Sequence, residues 1–160
     1  MMKIFNIQRK QDGFTLIELL VVIAIIGVLS GLLFSNFVGI RERSRDGARK
    51  SDLRQIQAAL ELYRSDQGEY PTEEDLSACG GSLKDPNDTV IYMQKIPCDQ
   101  SGENVPYTYF PDSDNVTYTL IACLENENDS QKATPDELTD LGVTNPCNQE
   151  DNFAYVLQNP

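Results

Sequence analysis

Two hydrophobic patterns follow one another along the first 67 residues. From Phe14 to Ile40 the positions are predominantly apolar, and Glu18 is the single ionisable side chain. About 20 apolar residues in a helix span the hydrocarbon core of a bilayer, so this run predicts a transmembrane helix over 14–40. Gly27, Ser30 and Gly31 give it small positions where a neighbouring helix can come close. From Arg41 the pattern changes to one-sided. Leu53, Ile56, Leu60 and Tyr63 recur at three- and four-residue steps, which predicts an amphipathic helical extension over 41–67. Ala48, Ala58 and Ala59 favour helix there, whereas Gly47 weakens it locally. Unbroken, the two halves make one helix on the order of 80 Å long. Gly68 supplies a stop, and Tyr70-Pro71 forces an extended turn.

Beyond residue 68 the period shortens to two. Strands are predicted over 90–93, 105–110 and 116–122, the last two joined as a hairpin by the turn Pro111-Asp-Ser-Asp-Asn115. In the second of these, Val116, Tyr118, Leu120 and Ala122 share one face, with Thr117 and Thr119 on the other. Residues 153–157 (FAYVL) add an edge strand. Thr134-Pro-Asp-Glu137 reads as a capping box with Pro at the first helical position, and Gly142 as a stop, giving a short helix over 135–141. The expected class is α+β: a long N-terminal helix packed on a small antiparallel sheet in a globular head, 68–160.

Charge changes the picture less by its total than by its distribution. The net is −12, yet residues 1–54 hold nine of the 13 Lys and Arg, leaving 55–160 at −16. Such a head stays soluble and repels nucleic acid, which is bound by neutralising phosphates. There is no His, which removes Ser-His and Cys-His catalysis and His-ligated zinc. No spacing of carboxylates, Lys or Tyr singles out a catalytic pair, so no catalytic residue is assigned.

Four cysteines, Cys79, Cys98, Cys123 and Cys147, all lie beyond the apolar run, and none forms a C-x-x-C pair. That favours an exported head with two disulfides over a zinc or redox motif. Three connectivities are open; near neighbours close short loops, which favours Cys79–Cys98 with Cys123–Cys147. Four unpaired thiols remain the alternative. Acids cluster at Asp112–Asp114 and at Glu125–Asp129, but the EF-hand template fails. Counted from Asp112, its sixth position is Thr117 rather than Gly and its twelfth is Cys123 rather than Glu. No metal ligand is assigned, and a solvated acidic loop is the expectation. The sequons at Asn87, Asn115 and Asn128 read as chance matches in an Asn-rich surface.

The residues that carry most information stand at the start. A short basic leader with Lys3, Arg9 and Lys10 ends in Gly13, followed by FTLIELLVVIAIIG. This resembles the prepilin signal of type IV pilins and type II secretion pseudopilins. The later segments DLRQIQAALELYRSDQGEYPT (52–72) and YMQKIPCDQ (92–100) resemble the major pseudopilin of type II secretion. The resemblance implies a pilin-like fold, a leader over 1–13 removed by prepilin peptidase between Gly13 and Phe14, and N-methylation of Phe14. It further implies a single-pass precursor in the inner membrane with its head outside, then a filament in the periplasm or beyond. The charge flanks alone, with six basic residues between Arg41 and Arg54, favour the opposite orientation. Implied partners are copies of the chain, other pilin-like subunits, the prepilin peptidase, and an inner-membrane assembly platform with its ATPase.

Under this resemblance Glu18 meets the Phe14 ammonium of a neighbouring subunit. The plainer alternative is a carboxylate near the membrane surface without a partner. Calcium bound in a C-terminal loop is typical of the major pseudopilin; here two cysteine pairs occupy that region, so disulfides are expected as the staple instead. Family helices also carry a Pro late in the membrane segment, and FSNF (34–37) around Ser35 has none. Arg41, Arg43, Arg45, Arg49 and Lys50 crowd the helix beyond the membrane; anionic headgroups or a simply solvated face are the alternatives, and the −16 distal half favours pairing with acidic heads of adjacent subunits. The rival to a filament subunit is a single-pass anchored module that binds calcium or another ligand and never polymerises.

Overall fold

The structure, a computed structural model, describes residues 13–147 and 153–159, without the side chains of 32–38. Residues 1–12 of the expected leader lie outside the described residues. Helix α1 runs Leu16–Gln67 and its backbone stays helical past Ser35 without the family's Pro. It crosses the division between two compact units, which falls between Val38 and Gly39. In the first unit the large apolar side chains from Phe14 to Leu29 are exposed, Phe14 most of all. Among the described residues no helix is long and apolar enough to cross a membrane, the described side chains of this run ending at Gly31.

The second unit is built on the amphipathic half of α1. Leu53, Ile56, Leu60 and Tyr63 are all buried, as their spacing predicts. They pack against Tyr118, Leu120, Ala122 and Leu124 of β6 (Tyr118–Leu124). This strand is the centre of a three-stranded antiparallel sheet, with β5 (Thr108–Pro111) on one side and β7 (Phe153–Gln158) on the other. The register sets Tyr109 opposite Leu120 and Tyr155 opposite Ala122. The second face of β6 is covered too. Ile121 lies in a smaller cluster with Leu138 of α3 (Pro135–Asp140), Ala154 and Cys147, and Cys123 packs against it. The three residues Thr134, Pro135 and Glu137 form the expected cap, with the Glu137 N–H donating to the Thr134 hydroxyl.

The hairpin forms, but its ends differ from expectation. Val116 is exposed and lies in the turn rather than on the core face of the strand. The cause is Asp112, whose Oδ1 accepts N–H bonds from Val116 (2.7 Å) and Thr117 (3.2 Å) and so lengthens the turn. The expected strand 105–110 is split at Tyr107. Its first part, β4 (Val105–Pro106), pairs with β3 (Cys98–Asp99), and Tyr107 turns inward to donate its hydroxyl to Asp52 at 2.8 Å. Pro106, lacking an N–H, weakens any longer ladder. Three short elements go beyond the sequence reading or complete it: α2 (Glu73–Ser77), β1 (Leu83–Lys84) and β2 (Ile91–Met93), the last the expected strand and β1 its partner.

Two disulfides fasten this unit, Cys79–Cys98 and Cys123–Cys147. The first ties the segment after α2 to β3, and the second ties β6 to the segment after α3. Gly68 ends α1 with φ +85°, the left-handed value that suits a residue without Cβ, and its N–H donates to the Arg64 carbonyl at 2.8 Å. The tyrosine-rich interior is satisfied: Tyr70 donates to Glu61 at 2.8 Å, Tyr109 to the Pro71 carbonyl at 2.8 Å. Among the described residues no buried side-chain nitrogen or oxygen lacks a partner.

Truncating Leu60, fully enclosed, to Ala is expected to lower the unfolding free energy by about 2–5 kcal/mol. Leu62→Ala, on the exposed face of the same turn, should stay within about 0.5 kcal/mol of the parent. Urea denaturation of both variants checks the difference.

Candidate functional site

Gly13 and Phe14 precede α1 in an exposed, non-helical stretch. Thr15 caps the helix. The Thr15 N–H donates to Glu18 Oε2 at 2.8 Å, its hydroxyl donates to the same oxygen at 2.7 Å, and the Glu18 N–H reaches the hydroxyl at 3.3 Å. This is a capping box, Thr-x-x-Glu at the first helical turn. The carboxylate also lies where the helix presents its unpaired N–H groups and positive dipole end. Glu18 therefore has a partner inside its own chain, a contact the sequence reading missed although the Thr-x-x-Glu spacing signals it. Only Oε2 is engaged; Glu18 Oε1 accepts no hydrogen bond among the described residues.

The second constellation lies in the second unit, where α1 meets the loops of the sheet. Asp46 and Arg49 are nearly inaccessible, at 1% and 2%. Arg49 donates from Nη1 to Asp46 (2.8 Å), from Nε to Asp99 (3.0 Å) and from Nη2 to Glu125 (2.7 Å). Arg45 also binds Glu125 through its Nε and Nη2. Asp46 in turn accepts the backbone N–H groups of Glu125 and Asn126, each at 2.9 Å. Burial alone pulls the Arg49 guanidinium down, but the carboxylates around it outweigh that and raise it above its ordinary value. The hydrogen bond from Arg45, with the help of Arg49, holds Glu125 below the usual carboxylate range. At the next position, Lys50 Nζ contacts Asp129 at 2.6 Å. Burial raises the Asp129 carboxyl, yet Lys50 and the Gln131 N–H bring it below its ordinary value.

This corrects the expectation that the whole basic cluster faces other subunits. Arg45, Arg49 and Lys50 are spent within the chain. Arg41, Arg43 and Arg54 stay exposed and make no ion pair among the described residues.

The acidic clusters do not fit a calcium ion. Asp112 builds its turn, Glu125 faces two guanidinium groups, and both oxygens of Asp129 face an ammonium. Among the described residues no group of three or more His, Cys, Asp or Glu is arranged to hold a metal. Calcium needs six to eight oxygens turned toward one point, whereas those of Glu125 and Asp129 are turned toward cations already present and Asp112 Oδ1 toward backbone N–H groups.

Residues 8–34 match the family model for the prokaryotic N-terminal methylation motif, and residues 36–144 match that for type II secretion system (T2SS), protein G. The type II secretion system core protein G of Escherichia coli (strain K12) is 29% identical over 143 residues, 84% of this chain and 94% of that protein. Its counterpart in Pseudomonas aeruginosa is 33% identical over 111 residues, 64% of this chain and 75% of that protein. The Aeromonas hydrophila protein is 40% identical over 67 residues, 42% of this chain and 47% of that protein. The chain thus spans about half the length of the last relative. No solved structure matches it.

Removing the Arg49 guanidinium leaves the buried Asp46 and Asp99 without a cation and takes one of two from Glu125, so Arg49→Ala should destabilise the fold by about 3–5 kcal/mol in chemical denaturation. Glu125 and Asp129 have folded values below their unfolded ones. Their contribution is complete above the unfolded values and is lost as pH falls through the folded ones. The melting temperature should therefore hold down to about pH 5 and drop on acidification below about pH 4, which thermal scans across that range check.

Proposed function

Since this chain belongs to the type II secretion system protein G family, we propose that it is a structural subunit of a secretion pseudopilus, assembled through its N-terminal helix. In this reading a prepilin peptidase cuts between Gly13 and Phe14, the new Phe14 terminus is N-methylated, and the precursor sits in the inner membrane with its head outside. The subunits are then drawn from the membrane into a periplasmic filament of copies of the chain and related pseudopilins. An inner-membrane platform and its ATPase drive that step. The run Phe14–Ile40 supports membrane residence, and a head fastened by two disulfides supports a location outside the reducing cytoplasm.

The observation that carries the reading is the state of Glu18. One carboxylate oxygen caps its own helix, and the other is open among the described residues. Cutting before Phe14 leaves the Thr15–Glu18 box intact and creates an ammonium at Phe14. A neighbour's ammonium meeting Oε1 neutralises the carboxylate where hydrocarbon makes its charge expensive, so assembly is rewarded at a fixed axial offset. The exposed Arg41, Arg43 and Arg54 face outward in the second unit, suited to the acidic heads of other copies.

Glu18→Gln separates the two roles, since an amide oxygen still accepts the Thr15 N–H but carries no charge. The variant is expected to insert into membrane normally and to give few or no filaments by electron microscopy of sheared fibres. Wild-type filament yield from Glu18→Gln would leave only the helix cap and remove the inter-subunit role.

A further inference from the structure

The loop that follows β6 carries three acids, and two of them, Glu125 and Asp129, are met by cationic side chains of the same chain, while Glu127 is exposed. Lys50 reaches from α1 and places Nζ 2.6 and 2.7 Å from the two carboxylate oxygens of Asp129, and 3.0 Å from Gln131 Oε1. That is three oxygens converging on one cation. Lys50 and Asp129 are about 15% exposed, so the pair is screened from water far more than a surface ion pair. At the far side of the loop, Lys132 Nζ donates to the Glu127 carbonyl oxygen. Both ammonium groups are backed by an aromatic ring of β7: Lys50 lies 5.2 Å from the Tyr155 centroid, and Lys132 lies 4.5 Å from the Phe153 centroid. Phe153 and Tyr155 are two residues apart on a strand, so they stand on one face and present two adjacent cation seats. The near end of the loop is closed by Asp46, which takes the Glu125 and Asn126 N–H groups.

We propose that Lys50, with Lys132, is the built-in counter-cation of the Glu125–Lys132 loop, so that the head folds and holds its shape without calcium. An oxygen-rich loop can be closed by a divalent ion drawn from the medium or by an ammonium delivered on the chain. Here the chain delivers it, and a calcium ion brought to Asp129 has to displace Lys50 from both carboxylate oxygens. The covalent route has two consequences. The loop is set as soon as α1 packs on the sheet, at any external calcium concentration. Its closure also depends on α1, because Lys50 follows directly on Arg49 in the turn that grips Asp99 and Glu125.

The test is thermal unfolding of the full chain in detergent, with millimolar calcium chloride or with EGTA, for the parent, Lys50→Gln, Lys50→Arg and Lys50→Gln/Asp129→Asn. The parent is expected to melt at the same temperature in both solutions. Lys50→Gln should melt roughly 2–8 °C lower, Lys50→Arg close to the parent, and the double variant should recover part of the loss because no stranded carboxylate remains. A parent midpoint that rises with calcium chloride and falls with EGTA overturns the proposal, as does a Lys50→Gln midpoint equal to the parent's. Should Lys50→Gln fail to fold, the parent's response to calcium and EGTA and the melting of Lys50→Arg decide the matter on their own.

Discussion

Arg49 is a full positive charge with almost no access to water, and the geometry of the head follows from how it is compensated. Taken alone, a guanidinium in that position costs several kcal/mol in lost hydration. It is sustained because three carboxylates from three places in the sequence converge on it. Asp46 comes from the helix itself, Asp99 from β3 beside the Cys79–Cys98 disulfide, and Glu125 from the residue after β6. A hydrophobic contact between helix and sheet tolerates a slip of a turn; a five-donor fork facing three fixed acceptors does not. The apolar stripe from Leu53 to Tyr63 supplies the driving force, and Arg49 fixes the register at which it acts.

That arrangement also alters what the charge distribution means. Counted along the sequence, the basic helix and the acidic head look like two surfaces made for each other on different subunits. In the folded chain much of that complementarity is internal, through Arg45, Arg49 and Lys50. Arg41, Arg43 and Arg54 are what remains for contacts with other molecules. In the acidic loop after β6, likewise, Lys50 occupies both carboxylate oxygens of Asp129 and Lys132 the Glu127 carbonyl.

Periodicity made the helices and the central hairpin legible. The three- and four-residue steps of Leu53, Ile56, Leu60 and Tyr63 identify the buried face, and Thr134-Pro135 with Glu137 identifies the cap of α3. What escaped was set by contacts distant in sequence. Arg49 and Asp99 are 50 positions apart, and no local pattern distinguishes a buried arginine from its exposed neighbours Arg41 and Arg43. Strand β1 is too short for any period to register, and Val116 was drawn out of its strand by a side chain four residues earlier. At Glu18 the miss was of a different kind. The residues from Thr15 to Glu18 spell a capping box, so the local partner of Glu18 is legible in the sequence even though the apolar run draws the eye to a distant one.

The capping box gives the proposed cleavage between Gly13 and Phe14 a physical sense. A helix that begins at Leu16 with its first turn already closed by Thr15 and Glu18 would keep that start whole on the proposed leader removal, which would add one positive charge at Phe14. In the proposed function the working molecule begins at Phe14 and polymerises from there. Mass spectrometry of the N-terminal peptide from membrane-purified protein tests this most directly. The expected peptide starts at Phe14 and carries one N-methyl group; an intact leader, or a terminus at any other residue, would rule out the proposed processing.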